Sequence, residues 1–183
     1  MSETKNLHAV LDRLARVVAS EDWSGDLNPA QVAALGYLAR ANRFSRKPSI
    51  VADYLGATRG TVSQTLKALV RKGLLVEISD PEDRRSISYA VTPEGHGVLE
   101  RRNVLDKAVA GMETSEVNAL DAGLRGLLVR VLAAQGQKTF GICKTCAHHE
   151  DTEEGCRCKL LNVALDKADA EQVCAEHEPS VPS

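Results

Sequence analysis

Five cysteines lie in the last quarter of the 183-residue chain, between positions 143 and 174. Cys143 and Cys146 are two residues apart, and a turn of that length can aim both thiolates at one metal ion. Cys158 and Cys174 follow singly, which completes a C-x2-C-x11-C-x15-C pattern of four sulfur donors. In a reducing compartment, such a cluster indicates metal or redox chemistry rather than structural disulfides.

The spacing of the cysteines bears on which metal they would hold. One paired knuckle followed by two widely spaced ligands is similar to the pattern of high-potential-type [4Fe–4S] modules, whereas zinc ribbons usually pair two knuckles. A segment of ~40 residues has too little core to fold alone, so we expect a bound metal centre to stabilise it. An Fe–S cluster is the first expectation and zinc is the alternative. A redox-active dithiol and an unliganded tail are the remaining alternatives for this segment. Cys156, the expected spare thiol, and His177 are alternate ligands.

A second group of residues suited to chemistry lies upstream, on a polar and cationic helix and on the turn that follows it. Gln can bind adenine and Arg can bind guanine in bidentate fashion, while Thr and Ser hydroxyls serve bases or phosphates. A carboxylate can orient a neighbouring arginine for entry into a narrow minor groove, and Asp80 and Asp83 are placed for this support. The candidate DNA contacts are Thr58, Arg59, Thr61, Ser63, Gln64, Thr65, Lys67, Arg84 and Arg85.

Helix signals place the candidate contacts on a helix-turn-helix. The sequence Asn28-Pro29-Ala30-Gln31 predicts the start of a second helix, with a capping box, that continues to about Arg43. A third helix is predicted over residues 49–55, closed by Gly56. Thr58 caps a fourth helix that ends at Gly73. The helix-turn-helix therefore covers about residues 49–73.

Two β-rich runs follow, over residues 74–78 and 86–91, and their connecting turn would form a wing. Thr92-Pro93-Glu94 then predicts another helix start. A first, a fifth and a sixth helix carry apolar stripes at helical spacing, which pair either between two chains, as a symmetric homodimer, or within one chain as a bundle. The stripes consist of Leu7, Val10, Leu11, Leu14, Val17 and Val18; of Val98, Leu105, Val109 and Met112; and of Val117, Leu120, Leu124, Leu127, Leu128, Val131 and Leu132.

Composition fits this organisation. Apolar residues make up 43% of the chain and aromatic residues only 3%, which favours a helical core of Leu, Val and Ala. The predicted fold is mainly α with a small β wing: a winged helix-turn-helix with terminal dimerisation helices over residues 1–137, a short Cys-rich module over 138–178 and a disordered tail over 179–183. The wing covers about residues 74–91.

Charge and hydropathy limit the choice of partner. The net charge is −2, but residues 57–85 carry six cations and four acids, a balance of +2, which suits DNA contact on one face. No apolar run approaches the ~20 residues that span a bilayer, and the N-terminus is charged, so we expect a cytoplasmic protein without membrane contact. The chain has no Ser/His/Asp set, phosphate-cradling glycine loop or HExxH motif, and we expect no enzyme activity.

The order of motifs resembles the MarR family of bacterial winged-helix regulators over about residues 5–135. The matching residues are Leu27-Asn28-Pro29-Ala30-Gln31, Ala52-Asp53-Tyr54-Leu55-Gly56, Thr61-Val62-Ser63, Leu69, Gly73-Leu74-Leu75, Asp80-Pro81-Glu82-Asp83-Arg84-Arg85 and Val91-Thr92-Pro93-Glu94-Gly95. The resemblance implies a homodimeric repressor that binds pseudo-palindromic double-stranded DNA and is released by an inducer.

Three hypotheses follow for the whole chain. In the first, the C-terminal metal centre tunes operator binding by a homodimeric repressor and senses redox state or iron. In the second, a small ligand is the inducer and zinc only anchors the tail. In the third, the chain is an Fe–S electron-transfer protein that uses the winged helix for docking.

Overall fold

The computed structural model describes residues 3–21, 26–79, 86–100, 104–152 and 155–180. It is mainly helical with a small β wing, as the sequence predicts. The first part contains α1 (Glu3–Glu21), α2 (Pro29–Arg40), a 3₁₀ turn (Arg43–Ser45), α3 (Pro48–Leu55), α4 (Arg59–Arg71), β1 (Leu75–Ser79), β2 (Ile87–Val91), α5 (Pro93–Glu100), α6 (Val104–Ala110) and α7 (Thr114–Ala134). The cysteine region contains β3 (Gly141–Ile142), a 3₁₀ turn (Cys143–Thr145), β4 (His149–Thr152), β5 (Gly155–Cys158), β6 (Val163–Leu165), α8 (Lys167–Glu171) and β7 (Val173–Cys174).

Local capping chemistry sets the start of the helices that carry the candidate site. The Asn28 side chain accepts the Gln31 backbone N–H at 2.9 Å, and the Gln31 side chain accepts the Asn28 N–H, which forms the predicted capping box. Gly56 adopts φ 60°, a left-handed conformation that ends α3. The Thr58 hydroxyl then caps α4 by accepting the backbone N–H of Thr61 at 3.2 Å.

The end of α2 differs from the prediction. The helix stops at Arg40 rather than about Arg43. Ala41 leaves the helix in an extended conformation and forms a parallel bridge with Val173 of β7. A backbone contact to a strand more than a hundred residues away therefore replaces the last helical turn that periodicity favours.

The main core lies where α2, α3 and α4 meet under the wing. Leu35, Leu38, Val51, Leu66 and Leu69 are at most 1% exposed, so each removes nearly its whole side chain from water. The wing strands pair antiparallel in the register Leu75 to Val91 through Ser79 to Ile87. Leu75 and Tyr89 point into the same core, which holds the wing against the helices.

The helices at the two ends of this unit keep their apolar stripes exposed. Leu7, Val10 and Leu14 of α1 are 44–62% exposed, and α7 contains no buried residue. The predicted fifth helix is present as α5 and α6, separated by residues 101–103, which lie outside the described ranges. The described parts of α1, α6 and α7 thus do not form the buried intramolecular bundle that was the alternative, and none of the stripe residues on these helices is buried.

The cysteine region forms two small antiparallel sheets. One pairs β3 with β7, and the other has the order β4-β5-β6. The region continues past residue 178, because Pro179 bridges Cys146 and the Ser180 N–H donates to Thr145. Among the described helices, none combines the length and apolar character needed to cross a membrane.

Candidate nucleic-acid interface and cysteine cluster

Helix α4 separates its residues into a buried and an exposed face. Val62, Leu66 and Leu69 are buried against α2 and α3, which fixes how the helix is presented. Of the seven predicted contacts at this helix, none is buried: Ser63 and Thr65 are partly exposed and the others are exposed, namely Thr58, Arg59, Thr61, Gln64 and Lys67. The structure therefore gathers these predicted contacts on one accessible surface.

Hydrogen bonding divides the exposed face into two groups. The hydroxyls of Thr58 and Thr61 lie 2.9 Å apart, and Thr65 donates to the Thr61 carbonyl, so these hydroxyls are occupied within the helix. The side chains of Arg59, Gln64, Ser63 and Lys67 make no hydrogen bond or ion pair within the described ranges. Their donors and acceptors are free for a base edge or a phosphate.

The tip of the wing carries the remaining predicted contacts. Arg84 and Arg85, together with the supporting Asp80 and Asp83, lie outside the described residues. The two strands that lead to the tip are described, and the Tyr89 hydroxyl reaches Glu77 across them at 3.3 Å. The role of the wing arginines stays a prediction.

The four predicted sulfur ligands come together in the C-terminal region. Cys143, Cys158 and Cys174 form one buried cluster with Leu165, and Cys146 is also buried. All four are free thiols, 4–9% exposed. Burial, followed by the nearby Cys174, Cys158 and Cys146, raises the pKa of Cys143 to about 12. Such mutual proximity of buried sulfurs is a donor set that soft metals prefer.

The two alternate ligands have hydrogen-bond partners outside this set, although Cys156 packs against the cluster. The Cys156 thiol is only half-buried and points to the carbonyl oxygens of Leu165 and Asp166, at 3.6 and 3.9 Å. The His177 ring instead bonds the Thr145 hydroxyl through Nε2 at 2.9 Å. Burial lowers the pKa of His177, and a hydrogen bond with the Thr145 backbone opposes that shift. This arrangement favours Cys156 as the spare thiol and His177 as a structural side chain.

The cluster has the composition of a metal centre without the geometry of a formed one. In the described ranges, no three His, Cys, Asp or Glu side chains stand close enough around one point to hold an ion. The four buried sulfur atoms nevertheless match the donor set of a four-thiolate metal centre. The backbone N–H of Glu178 also donates to Cys146 Sγ at 3.4 Å, the kind of contact that supports a ligating thiolate.

Sequence reasoning missed the contacts that hold the cysteine region on the helix-turn-helix. Arg43, in the connection between α2 and α3, forms ion pairs with Asp166 and Asp169 and donates to the Ala164 carbonyl at 2.8 Å. Asp169 is only 3% exposed, so its ion pair with Arg43 is largely removed from water on the Asp169 side. The capping box at Asp166 was a local signal for α8, but no local signal identifies a partner 123 residues away.

Comparison with known proteins agrees with this architecture. Residues 25–86, about a third of the chain, match a model described as MarR family. The chain is similar to Streptococcus pneumoniae FabT in complex with DNA (TM-score 0.58, 22% identity, 73% of this chain and 99% of that one). It is also similar to MepR, a transcription regulator of the Staphylococcus aureus multidrug efflux pump MepA (TM-score 0.54, 20% identity, 72% and 99%). No curated protein sequence matches the chain.

These likenesses define the class of fold. At identities of 20–22%, they show that 72–73% of the chain shares the fold of FabT and MepR, and that nearly the whole of each related chain is matched.

Proposed function

We propose that the chain is a MarR-family transcriptional regulator that binds double-stranded DNA through α4 and the wing, and that it is not an enzyme. The observation that carries the proposal is the set of uncommitted polar side chains on α4, Arg59 and Gln64 among them, presented by a buried helix-turn-helix. The matched segment at residues 25–86 and the DNA complex of the related FabT support it. A repressor is the simplest form, because a bound dimer blocks a promoter.

The exposed stripes of α1, α6 and α7 support a homodimer. Apolar side chains that stay largely exposed on several helices of one chain are the usual sign of an obligate interface. A two-fold dimer would present two α4 helices to neighbouring major-groove segments, so its operator would be pseudo-palindromic.

Selection from a pool of random DNA duplexes tests the DNA-binding function. The wild-type protein should enrich a pseudo-palindromic site at physiological salt. Gln64→Ala should weaken that site by about 1–3 kcal/mol and relax the base preference at one position, whereas Lys67→Ala should weaken all sequences alike and reduce the salt dependence. Arg84→Ala and Arg85→Ala should also weaken binding. Arg125→Ala, on exposed α7, is the matched control. The proposal fails if no site is enriched or if Gln64→Ala leaves affinity and base preference unchanged.

The finer part of the proposal is a C-terminal metal centre that tunes operator binding. Cys143, Cys146, Cys158 and Cys174 would be its ligands, supported by their common burial. Four thiolates can hold a [4Fe–4S] cluster, which would make the centre responsive to redox state or iron, or a structural zinc.

Anaerobic purification with metal analysis and an absorption spectrum tests the centre. A brown protein with iron and sulfide supports the cluster, and a colourless protein with one zinc per chain supports the structural site. Cys143→Ser should abolish metal retention, while Cys156→Ser should keep it. Wild-type protein that retains neither metal overturns the centre without affecting the DNA-binding proposal.

A cavity of about 740 Å³ favours a second mode of control by a small ligand. It lies between α2 and α3, the start of the cysteine region and α7, with Arg40, Tyr54, Leu128 and Phe140 in its walls. Its lining combines apolar side chains with three cations, Arg40, Arg125 and Lys138, and two acids, Asp53 and Glu171. That positive balance suits a small organic anion. Release of the selected DNA by such compounds, with zinc retained, would support this mode.

A further inference from the structure

The cysteine region hydrogen-bonds to the connection between α2 and α3. We call this connection, residues 41–46, the docking segment. Cys174 lies between two residues that bond this segment. The carbonyl of Val173 accepts the Asn42 N–H at 2.9 Å, and the N–H of Ala175 donates to the Ser45 hydroxyl at 2.9 Å. A proposed ligand is thus fixed to the docking segment on both sides by hydrogen bonds.

The same segment also bonds the wing. The carbonyl of Arg46 accepts the N–H of Tyr89 in β2 at 3.2 Å, and the Arg46 side chain returns to the Ala41 carbonyl at 2.8 Å. The cysteine region thus bonds this segment at Asn42, at Ser45 and, through the Gln172 side chain, at Arg46, the residue whose carbonyl holds β2. Among the described residues, no hydrogen bond joins the cysteine region directly to β2.

Side chains reinforce these backbone bonds by crossing between the two units. Phe44 of the docking segment packs against the cysteine cluster, while Val173 of β7 packs against the main core. The Arg43 guanidinium lies 4.6 Å from the centre of the Phe44 ring and pairs with Asp169. Movement of the cluster would consequently move the segment.

A shared groove shows how near the cluster is to the wing. A cavity of about 530 Å³ is lined by Cys174, by Ser45 of the docking segment and by Ile78 and Ser88 of the wing strands. The buried side-chain amide of Asn42 has no hydrogen-bond partner in the described ranges. A buried unpaired amide is unfavourable, so contacts from outside the segment must hold it in this position.

We propose that residues 41–46 couple ligation of Cys174 to the position of the wing, so that loss of the metal weakens operator binding. This inference rests on the proposed metal centre. A metal bond restrains Cys174, and through Val173 and Ala175 it restrains Asn42 and Ser45. Without the metal, β7 is a two-residue strand held only by hydrogen bonds and packing, and the docking segment is released with it.

Operator affinity with and without metal measures the coupling. Wild-type protein loaded with zinc(II), or reconstituted with ferrous iron and sulfide, should bind the selected duplex about tenfold more tightly than chelator-treated protein, a difference of about 1.4 kcal/mol. Ser45→Ala removes the acceptor for Ala175 and should bring this ratio close to one while metal content is unchanged. Lys138→Ala, which removes an exposed contact to Glu176 outside the docking segment, should keep the wild-type ratio.

The outcomes separate this inference from the function on which it rests. If wild type shows the tenfold ratio and Ser45→Ala retains it, the docking segment is not the route, although metal regulation stands. If wild type binds metal with no change in affinity, both the regulation and the route are wrong.

Amide hydrogen exchange gives a second measurement that does not depend on a variant. Removing the metal should speed exchange at the N–H groups of Asn42, Tyr89 and Ala175. The N–H of Val117, bonded within the first turn of α7, is the internal control and should be unaffected. If each of the four amides exchanges at the same rate with and without the metal, the coupling is wrong.

Discussion

The Tyr37 hydroxyl donates a hydrogen bond of 2.9 Å to the carbonyl oxygen of Ser45, and both residues are at most 1% exposed. This bond ties the docking segment to α2 from inside the core. Burial raises the pKa of Tyr37 well above its usual range, so the phenol remains a donor at any physiological pH.

Replacing Tyr37 with Phe should therefore be costly although the ring is kept. The Ser45 carbonyl would be left buried without this donor, and we expect a loss of about 1–3 kcal/mol in the free energy of unfolding. Urea denaturation measures it. Tyr54→Phe is the control, because the Tyr54 hydroxyl is exposed and, among the described residues, hydrogen-bonds only Arg40, at 3.5 Å. Equal effects of the two variants would contradict the importance of the bond.

Two glycines of α5 should respond oppositely to alanine. A Cβ at Gly95 would overlap the Leu74 carbonyl oxygen and lie 2.7 Å from Cγ1 of Val91, so Gly95→Ala should cost about 1–3 kcal/mol. A Cβ at Gly97 meets no atom within 4 Å, and Gly97→Ala should be neutral or stabilise by up to about 1 kcal/mol. Thermal unfolding of both variants gives the comparison; a Gly95→Ala protein as stable as wild type would refute the close contact.

Removing Arg43 should loosen the cysteine region from the helix-turn-helix. Arg43→Ala leaves the buried Asp169 without its ion pair, which we expect to cost about 1–3 kcal/mol, discounted because Arg43 itself is 46% exposed. Limited proteolysis should then cut the chain between α7 and β3 more readily. Arg125→Ala breaks only an exposed pair with Asp121 and should not change the cleavage rate. Cleavage at the wild-type rate in both variants would show that the ion pair does not hold the interface.

A charge on the α1 stripe should disrupt the proposed dimer. Val10 is 62% exposed in the single chain, and Val10→Lys would place an ammonium in the interface, so light scattering should report the mass of one chain instead of two. Val76 is also exposed, at 49%, but lies on β1 away from the stripe. Val76→Lys should leave the dimer intact. If the Val10 variant stays dimeric, the stripe is not the interface.

Features set by neighbouring residues could be predicted from the sequence. The capping box at Asn28, the left-handed Gly56 and the cap at Thr58 each depend on side chains within a few positions, and together they placed α2, α3 and α4. The polar face of α4 followed from helical spacing.

Features set by distant residues could not be predicted from the sequence. The stop of α2 at Arg40 depends on Val173, and the burial of Asp169 depends on Arg43, so neither is encoded in local periodicity. The grouping of the cysteines was predicted because ligand chemistry constrains spacing. The docking of that group against residues 41–46 carries no comparable signature, since ordinary backbone and side-chain bonds produce it.

The bond between Ser45 and Ala175 joins positions 130 residues apart in the chain. The contacts that build the helix-turn-helix are short in sequence, and such contacts form early, whereas closing so long a loop is slow. During synthesis, the helices of the helix-turn-helix emerge well before the last cysteine. Each newly made molecule thus passes through a stage in which its helix-turn-helix has folded and its cysteine region has not yet docked.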